Sequence, residues 1–209
     1  MLSCGVAKNF VEAAPDRMSL QDVTNTTGAD AATDAILMRR IGAGDRPALA
    51  EMVHRHEHRV RGMAYRFVGS GPDADDIAQE TFIRLWQAAP RYEPSATFTT
   101  WMYRIVVNLC LDRKRRVARA PQRLEDEHDV PQDSSAAPIE QAETVEAVRR
   151  AIDALPERQR TVLLLHRYES LSYREIAQVT QWSESAVESL LVRAYQGLRQ
   201  RLARFMEEK

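Results

Sequence analysis

The chain has 209 residues, with 29 Lys and Arg against 30 Asp and Glu and only two cysteines. That length suits one ordinary domain or two small ones, and Cys4 and Cys110 are too few and too far apart for a disulfide framework, which fits a reducing cytoplasm. The longest apolar run, Ile105 to Leu111, is broken by Asn108 and too short to span a bilayer, so no membrane insertion is expected; the start MLSCGVAKNF lacks a basic or apolar signal region, which leaves its Leu-Ser-Cys as a chance likeness to a lipoprotein site.

Residues 1–30 mix Ala, Asp, Thr and Asn without a sustained period and read as a disordered arm. From Ala31 onward the pattern becomes helical, with its dense part starting at about Thr33. Period-two alternation bounded by turn residues is almost absent and no internal repeat is seen, so the expected class is all-α. A first dense block runs to Arg116, with breaks at Gly42-Ala43-Gly44-Asp45, at Gly69-Ser70-Gly71-Pro72 and at Pro90 to Pro94, which implies about four helices.

Within this block, His54, His56 and His58 lie close in sequence. A zinc protease pattern needs Glu directly after the first His, and here that place holds Arg55. No third ligand or supporting shell is evident, so neither a metal site nor a cofactor is expected. No Gly-rich phosphate loop, nucleophile elbow or paired-carboxylate frame appears either, and no enzyme activity is expected.

Asp73 is placed to cap the helix after Pro72, with Asp76 in its first turn, where negative charge suits the helix dipole. Ile77, Ala78, Thr81, Phe82, Leu85 and Trp86 make a core stripe at helical spacing. The opposite side carries Asp76, Gln79, Glu80, Ile83 and Gln87. By itself that face fits either a solvated surface with one stray isoleucine or a surface for a partner.

In the next helix Phe98, Trp101, Met102, Ile105 and Leu109 form the expected core stripe. The other face holds Arg104, Asn108, Leu111 and Arg115, and the helix ends in Arg113-Lys114-Arg115-Arg116. The net charge of -1 hides this block, because Trp101 to Arg123 carries seven basic residues against Asp112 alone. Cations at a helix C-terminus suit its dipole, but four in a row repel one another, and an anionic partner such as nucleic acid accounts better for them. The loop from Arg91 to Phe98 brings Tyr92 and Phe98 beside that face, and stacking there suits an unpaired base.

From Leu124 to Glu146 the charge reverses, with eight acids and no Lys or Arg. With Pro131 and Pro138 in it, such a stretch buries too little apolar surface to offset chain entropy and reads as a flexible acidic linker. A second helical block follows from about Thr144 to Glu208, broken at Pro156, Glu169-Ser170 and Gln181 to Ser183. There Ser172 to Val179 reads as a short helix, Thr180 to Ser183 as a tight connection, and Glu184 to Met206 as a longer helix. This is the spacing of a helix-turn-helix. Gln181 stands where many such motifs place Gly, so the turn is expected to use another conformation. On the second helix Ser185, Glu188, Ser189, Val192, Arg193 and Gln196 face solvent and suit base edges or phosphates in a major groove, with packing or dimerisation as the alternative use. Arg199, Arg201 and Arg204 add positive charge near the end.

Three stretches carry a family resemblance: DADDIAQETFIRLWQAAPRYEP, FTTWMYRIVVNLCLDRKRR, and LPERQRTVLLLHRYESLSYREIAQVTQWSESAVESLLVRAYQGLRQRL. In order and spacing they resemble the extracytoplasmic-function sigma factors of the sigma-70 family, over residues 34–118 and 144–204. The resemblance implies two small helical domains, region 2 at 31–120 and region 4 at 144–209, joined by a linker at 121–143. It implies a non-catalytic cytoplasmic subunit that brings core RNA polymerase to promoter DNA and promotes melting, in a stress or environmental response. Asp76, Gln79, Glu80 and Ile83 would bind core polymerase. Tyr92, Phe98, Arg104, Asn108, Arg113 and Arg115 would bind the minus-ten element. Arg174, Ser183, Ser185, Glu188, Ser189 and Arg193 would bind the minus-thirty-five element, with Arg174 on phosphate. The acidic linker resembles the connector that runs through the polymerase's RNA-exit path, and relatives are commonly held inactive by an anti-sigma factor.

Glu188 and Leu190 depart from the family, in which many members carry a basic residue at these places. A promoter sequence therefore does not transfer. The competing readings are a transcription regulator that binds duplex operator unaided and a metal-dependent enzyme using His54, His56 and His58.

Overall fold

The structure, a computed structural model, describes residues 24–93, 97–119 and 139–207. Among them there are helices and no strand: α1 (Thr24–Gly42), α2 (Arg46–Val68), α3 (Gly71–Ala88), a 3-10 turn (Ala89–Arg91), α4 (Phe98–Arg119), α5 (Ile139–Asp153), α6 (Glu157–Glu169), α7 (Tyr173–Thr180) and α8 (Glu184–Glu207). The helices divide between two compact units, α1 to α4 in the first and α5, α6, α7 as far as Ala177, and α8 in the second.

Helix starts follow their caps. Asp45 accepts a hydrogen bond from the Ala48 amide at 3.1 Å, and Pro47 in the first turn gives up an amide that would have no helical partner. α2 ends on Gly69, whose φ of 77° is the left-handed conformation that a side chain disfavours. Ser70 then caps α3 by accepting from the Asp73 amide at 3.3 Å. This corrects the expected cap: the helix begins at Gly71, before the proline, so Asp73 falls in the first turn and stabilises the dipole there.

In the first unit α2 packs on α1, α3 and α4, and α3 packs on α4. Met38, Met52, Met63, Leu85, Met102 and Tyr103 are among its fully buried side chains. Gly42 lets the end of α1 approach the 3-10 turn, since a Cβ there would lie 2.8 Å from the Ala89 carbonyl oxygen. The α4 stripe is rotated from its expected position: Phe98, Met102 and Leu109 are buried, but Trp101 and Ile105 are only half-buried, while Tyr103, Val106, Val107 and Cys110 lie inside. With α1, α2 and α3 all against it, α4 buries a wider arc than its largest residues mark.

In the second unit α8 packs on α5 and α6, around Val162, Leu163, Leu165, Ile176, Val187, Leu191 and Leu198. α7 opens with a capping box: the Ser172 hydroxyl accepts from the Glu175 amide at 3.3 Å, and the Glu175 carboxylate accepts from the Ser172 amide at 2.8 Å.

Two boundaries move. α1 starts at Thr24, inside the stretch 1–30 read as a disordered arm, because a helix anchored by its packed end propagates into polar residues that show no apolar period. α5 starts at Ile139, inside the predicted linker and five residues before Thr144. The rest of that linker, 121–138, lies outside the described residues.

Candidate nucleic-acid interface

On α3, Asp76, Gln79 and Ile83 are exposed and Glu80 is half-buried, all on the side away from the core stripe. Ile83 is 43% exposed, and it stands beside a groove that α2 completes with Leu49 and Val53 and α3 with Phe82 and Trp86. The α2 wall was not read from the sequence, because Leu49 and Val53 are half-buried residues of a helix whose stripe points into the core. Arg61 of α2 pairs with Asp75 at the rim, and Arg84 donates to Glu80 at 2.8 Å. The unpaired apolar surface sits among charges that are already partly matched.

The loop before α4 and the start of that helix gather aromatic rings. Tyr92 lies 5.1 Å from Trp101 and 6.4 Å from Phe98, Phe98 lies 6.0 Å from Trp101, and His56 of α2 meets Phe98 in a tilted contact at 5.3 Å between centroids. Tyr92 is half-buried, and burial, with a contribution from the Asp34 charge, pushes its phenol above the ordinary range and keeps it neutral. Phe98 is only 3% exposed. The ring predicted to contact DNA thus forms a floor beside Tyr92 and Trp101, because it is the first apolar residue of α4 and enters the core. Pro94 to Ala96 lie outside the described residues.

Along α4, Arg104 is half-buried and Asn108 and Arg115 are exposed. Arg113 pairs with Asp73 in the first turn of α3, and Arg115 lies 3.4 Å from Asp112. The Asp73 carboxylate raises the Arg113 pKa, against a smaller opposing effect of burial. Part of the counter-charge for the basic run is thus intramolecular, which weakens the argument that four adjacent cations require an outside anion.

In the second unit the turn between α7 and α8 is Gln181 to Ser183. Gln181 adopts φ 61°, the conformation a glycine would take. The expected alternative turn does not occur, and the Gln181 side chain stabilises the strained backbone by donating from Nε2 to the Gln178 carbonyl at 2.8 Å. Ser183 caps α8, its hydroxyl accepting from the Ala186 amide at 3.2 Å. Arg174, Ser185, Glu188, Ser189, Arg193 and Gln196 are exposed, and Val192 is 47% exposed beside them. Burial, and secondarily the Glu188 charge, raise the Tyr173 phenol. One contact was not foreseen: the Arg158 guanidinium lies 4.3 Å over the Trp182 ring and braces the turn.

His54 and His58 are exposed, whereas His56 is buried and 3.1 Å from Asp34. The three histidines do not converge. Among the described residues no group of three or more His, Cys, Asp or Glu could hold a metal ion, and no helix is long and apolar enough to cross a membrane.

Comparison with known proteins places both units. Sigma-70 region 2 matches residues 52–120 and Sigma-70 region 4 matches residues 145–198. RNA polymerase sigma-H factor of Pseudomonas aeruginosa is 33% identical over 84% of this chain and 96% of its own. The chain belongs to the extracytoplasmic-function sigma factors of the sigma-70 family. The sigma-E factor of this group from Escherichia coli is 30% identical over 79% of this chain and 92% of its own. Among solved structures, CnrH in complex with the cytosolic domain of CnrY matches with a TM-score of 0.62 and 28% identity, over 82% of this chain and 97% of that one. The sigma factor RpoE of Bartonella quintana, solved with the anti-sigma factor NepR, matches the fold with a TM-score of 0.59 at 17% identity, over 74% of this chain and 96% of that one. In this sigma factor the helix-turn-helix therefore belongs to region 4, and the acidic helix and aromatic loop belong to region 2.

Proposed function

We propose that this sigma factor recruits core RNA polymerase to a subset of promoters in the cytoplasm, promotes strand opening there in a stress or environmental response, and is restrained by an anti-sigma factor. The observation that carries the reading is the occurrence, in one chain and in family order, of both region 2 and region 4. In this reading residues 31–120 bind polymerase and the minus-ten element, 121–143 are the connector, and 144–209 bind the minus-thirty-five element. Neighbours solved with CnrY and with an anti-sigma factor support the restraint.

Core polymerase docks on Asp76, Gln79, Glu80 and Ile83, where burying the exposed isoleucine supplies affinity and the acids supply orientation. An unpaired minus-ten base stacks on Tyr92, while Arg104, Asn108, Arg113 and Arg115 hold the strand by its phosphates and edges. Arg174 meets phosphate, and Ser183, Ser185, Glu188, Ser189 and Arg193 meet the minus-thirty-five duplex, with Ser183 acting also as the helix cap. Glu188 favours cytosine, whose N4 donates to a carboxylate.

Separate binding assays test this reading. The purified chain should bind sigma-free core polymerase and show promoter selectivity only when bound to it. Selective binding to duplex DNA unaided, with no binding to core, would contradict it in favour of an operator-binding regulator.

A further inference from the structure

Beneath the aromatic loop lies a buried carboxylate–imidazole pair that the functional reading does not use. Asp34 of α1 is 2% exposed and His56 of α2 is 7% exposed. Their Oδ1 and Nε2 atoms lie 3.1 Å apart, within ion-pair reach, and neither makes an aligned hydrogen bond, to the other or to any of the described residues. Arg55 Nε stands 3.8 Å from the same carboxylate oxygen. The other face of the imidazole meets Phe98 at 5.3 Å, Phe98 meets Tyr92 and Trp101, and the Tyr92 phenol feels the Asp34 charge.

Burying a carboxylate and an imidazole is costly, and for stability alone an apolar pair of similar shape would serve as well. What an apolar pair cannot do is fix the imidazole in one orientation. Here Asp34 Oδ1 stands 3.1 Å from one edge of the ring, the ring's face meets Phe98 at 5.3 Å, and Phe98 meets Tyr92 edge-on at 6.4 Å. α1, α2, the Tyr92 segment and α4 all meet at this point, so a charge at the bottom defines the position of the half-exposed ring at the top.

We infer that Asp34 and His56 are positioning residues for capture of an unpaired promoter base: through Phe98 they position the Tyr92 ring on which that base lies. The inference rests on the base-stacking role proposed for Tyr92. Neither residue touches DNA.

The test uses holoenzyme assembled from core polymerase and the full chain. Single-stranded minus-ten oligonucleotides carry one abasic site, walked through the element, and affinities are compared for the wild type, His56→Asn and Asp34→Asn. The wild type should lose about tenfold at one position, where the stacked base is missing. Both variants should lose about tenfold on the intact strand and nothing further at that position, with affinity for core polymerase unchanged. A merely structural effect would weaken all oligonucleotides equally and leave the abasic penalty in place, and that result overturns the inference. Asp34→Asn keeps the shape of the side chain and decides the matter if His56→Asn does not fold. If the wild type shows no position-specific abasic penalty, the stacking role of Tyr92 fails, and the inference with it. If the penalty is present and equal in all three proteins, stacking stands and the positioning role falls.

Discussion

Arg113 near the end of α4 donates a hydrogen bond to Asp73 in the first turn of α3, 40 residues away. The pair ties the helix proposed to hold the minus-ten strand to the helix proposed to hold polymerase, and Asp76 adds to the negative field at Arg113. Each partner has a second role at its own end, Asp73 at a helix N-terminus and Arg113 in the basic cluster.

Asp73→Asn should therefore separate two effects. Loss of a partly exposed ion pair should lower the stability of the first unit by about 1 kcal/mol, read by chemical denaturation. The released guanidinium should strengthen binding to single-stranded minus-ten DNA and steepen its dependence on log salt by about 0.7, the value for one added phosphate contact. An unchanged salt slope would remove Arg113 from the strand contact.

Asp76→Lys combined with Glu80→Lys should abolish binding to core polymerase while leaving the helical content intact by circular dichroism. Both residues lie on the outer side of α3; reversal loses the exposed Glu80–Arg84 pair and sets like charges at i,i+4, at a cost of only about 0.5–1 kcal/mol. Retained polymerase affinity would exclude this face as the docking surface.

Ser189→Ala and Arg193→Ala should each weaken minus-thirty-five duplex recognition by about 1–3 kcal/mol if they meet base edges. Polymerase affinity should not change, since neither residue lies on the first unit. Loss of both activities together would indicate general misfolding of the chain instead.

The Gln181 turn gives a stability prediction. A β-branched residue tolerates positive φ poorly, so Gln181→Val should destabilise the second unit by roughly 1–2 kcal/mol. Gln181→Gly relieves the strain and loses one exposed hydrogen bond, and should leave the melting temperature equal or higher. A lower melting temperature for the glycine variant would show that the side-chain bond, not the backbone angle, governs the turn.

His166 supplies the pH dependence. Burial, and secondarily the Arg167 charge, lower its pKa below 6.5. Its Nδ1 is buried without a hydrogen bond, and its ring lies 5.7 Å from Tyr173. A base whose folded pKa is depressed binds protons more readily when unfolded, so stability contributed above about pH 6.5 is lost as the pH falls through the lower folded value. Denaturation of the second unit at pH 7 and pH 5 should show this loss, and His166→Gln should reduce it. An equal loss in that variant would assign the dependence to the acids.

The sequence made the elements legible where local chemistry fixes them. Gly69 and Pro156 mark helix ends through φ preference and a missing amide, and the breaks at Glu169-Ser170 and Gln181 to Ser183 give the helix-turn-helix spacing. What was hidden depends on contacts across the fold. Nothing near Arg113 announces Asp73, and nothing near His56 announces Asp34, 22 residues earlier. The α4 stripe misled because Trp101 and Ile105 are large yet lie on the flank, while the smaller Val106 and Cys110 sit at the centre. Phe98 was read both into the core stripe, from its spacing, and as a DNA ligand, because aromatic residues beside basic ones suit bases; the packing turns its ring inward.

Transcription reconstituted from sigma-free core polymerase and a library of promoter fragments from the source genome tests the central claim most directly. The account predicts initiation that depends on this chain, comes from a defined subset of fragments, and is lost when Asp76 and Glu80 are both replaced by Lys. Absence of initiation from every fragment, with folded chain free of any inhibitor, would contradict it.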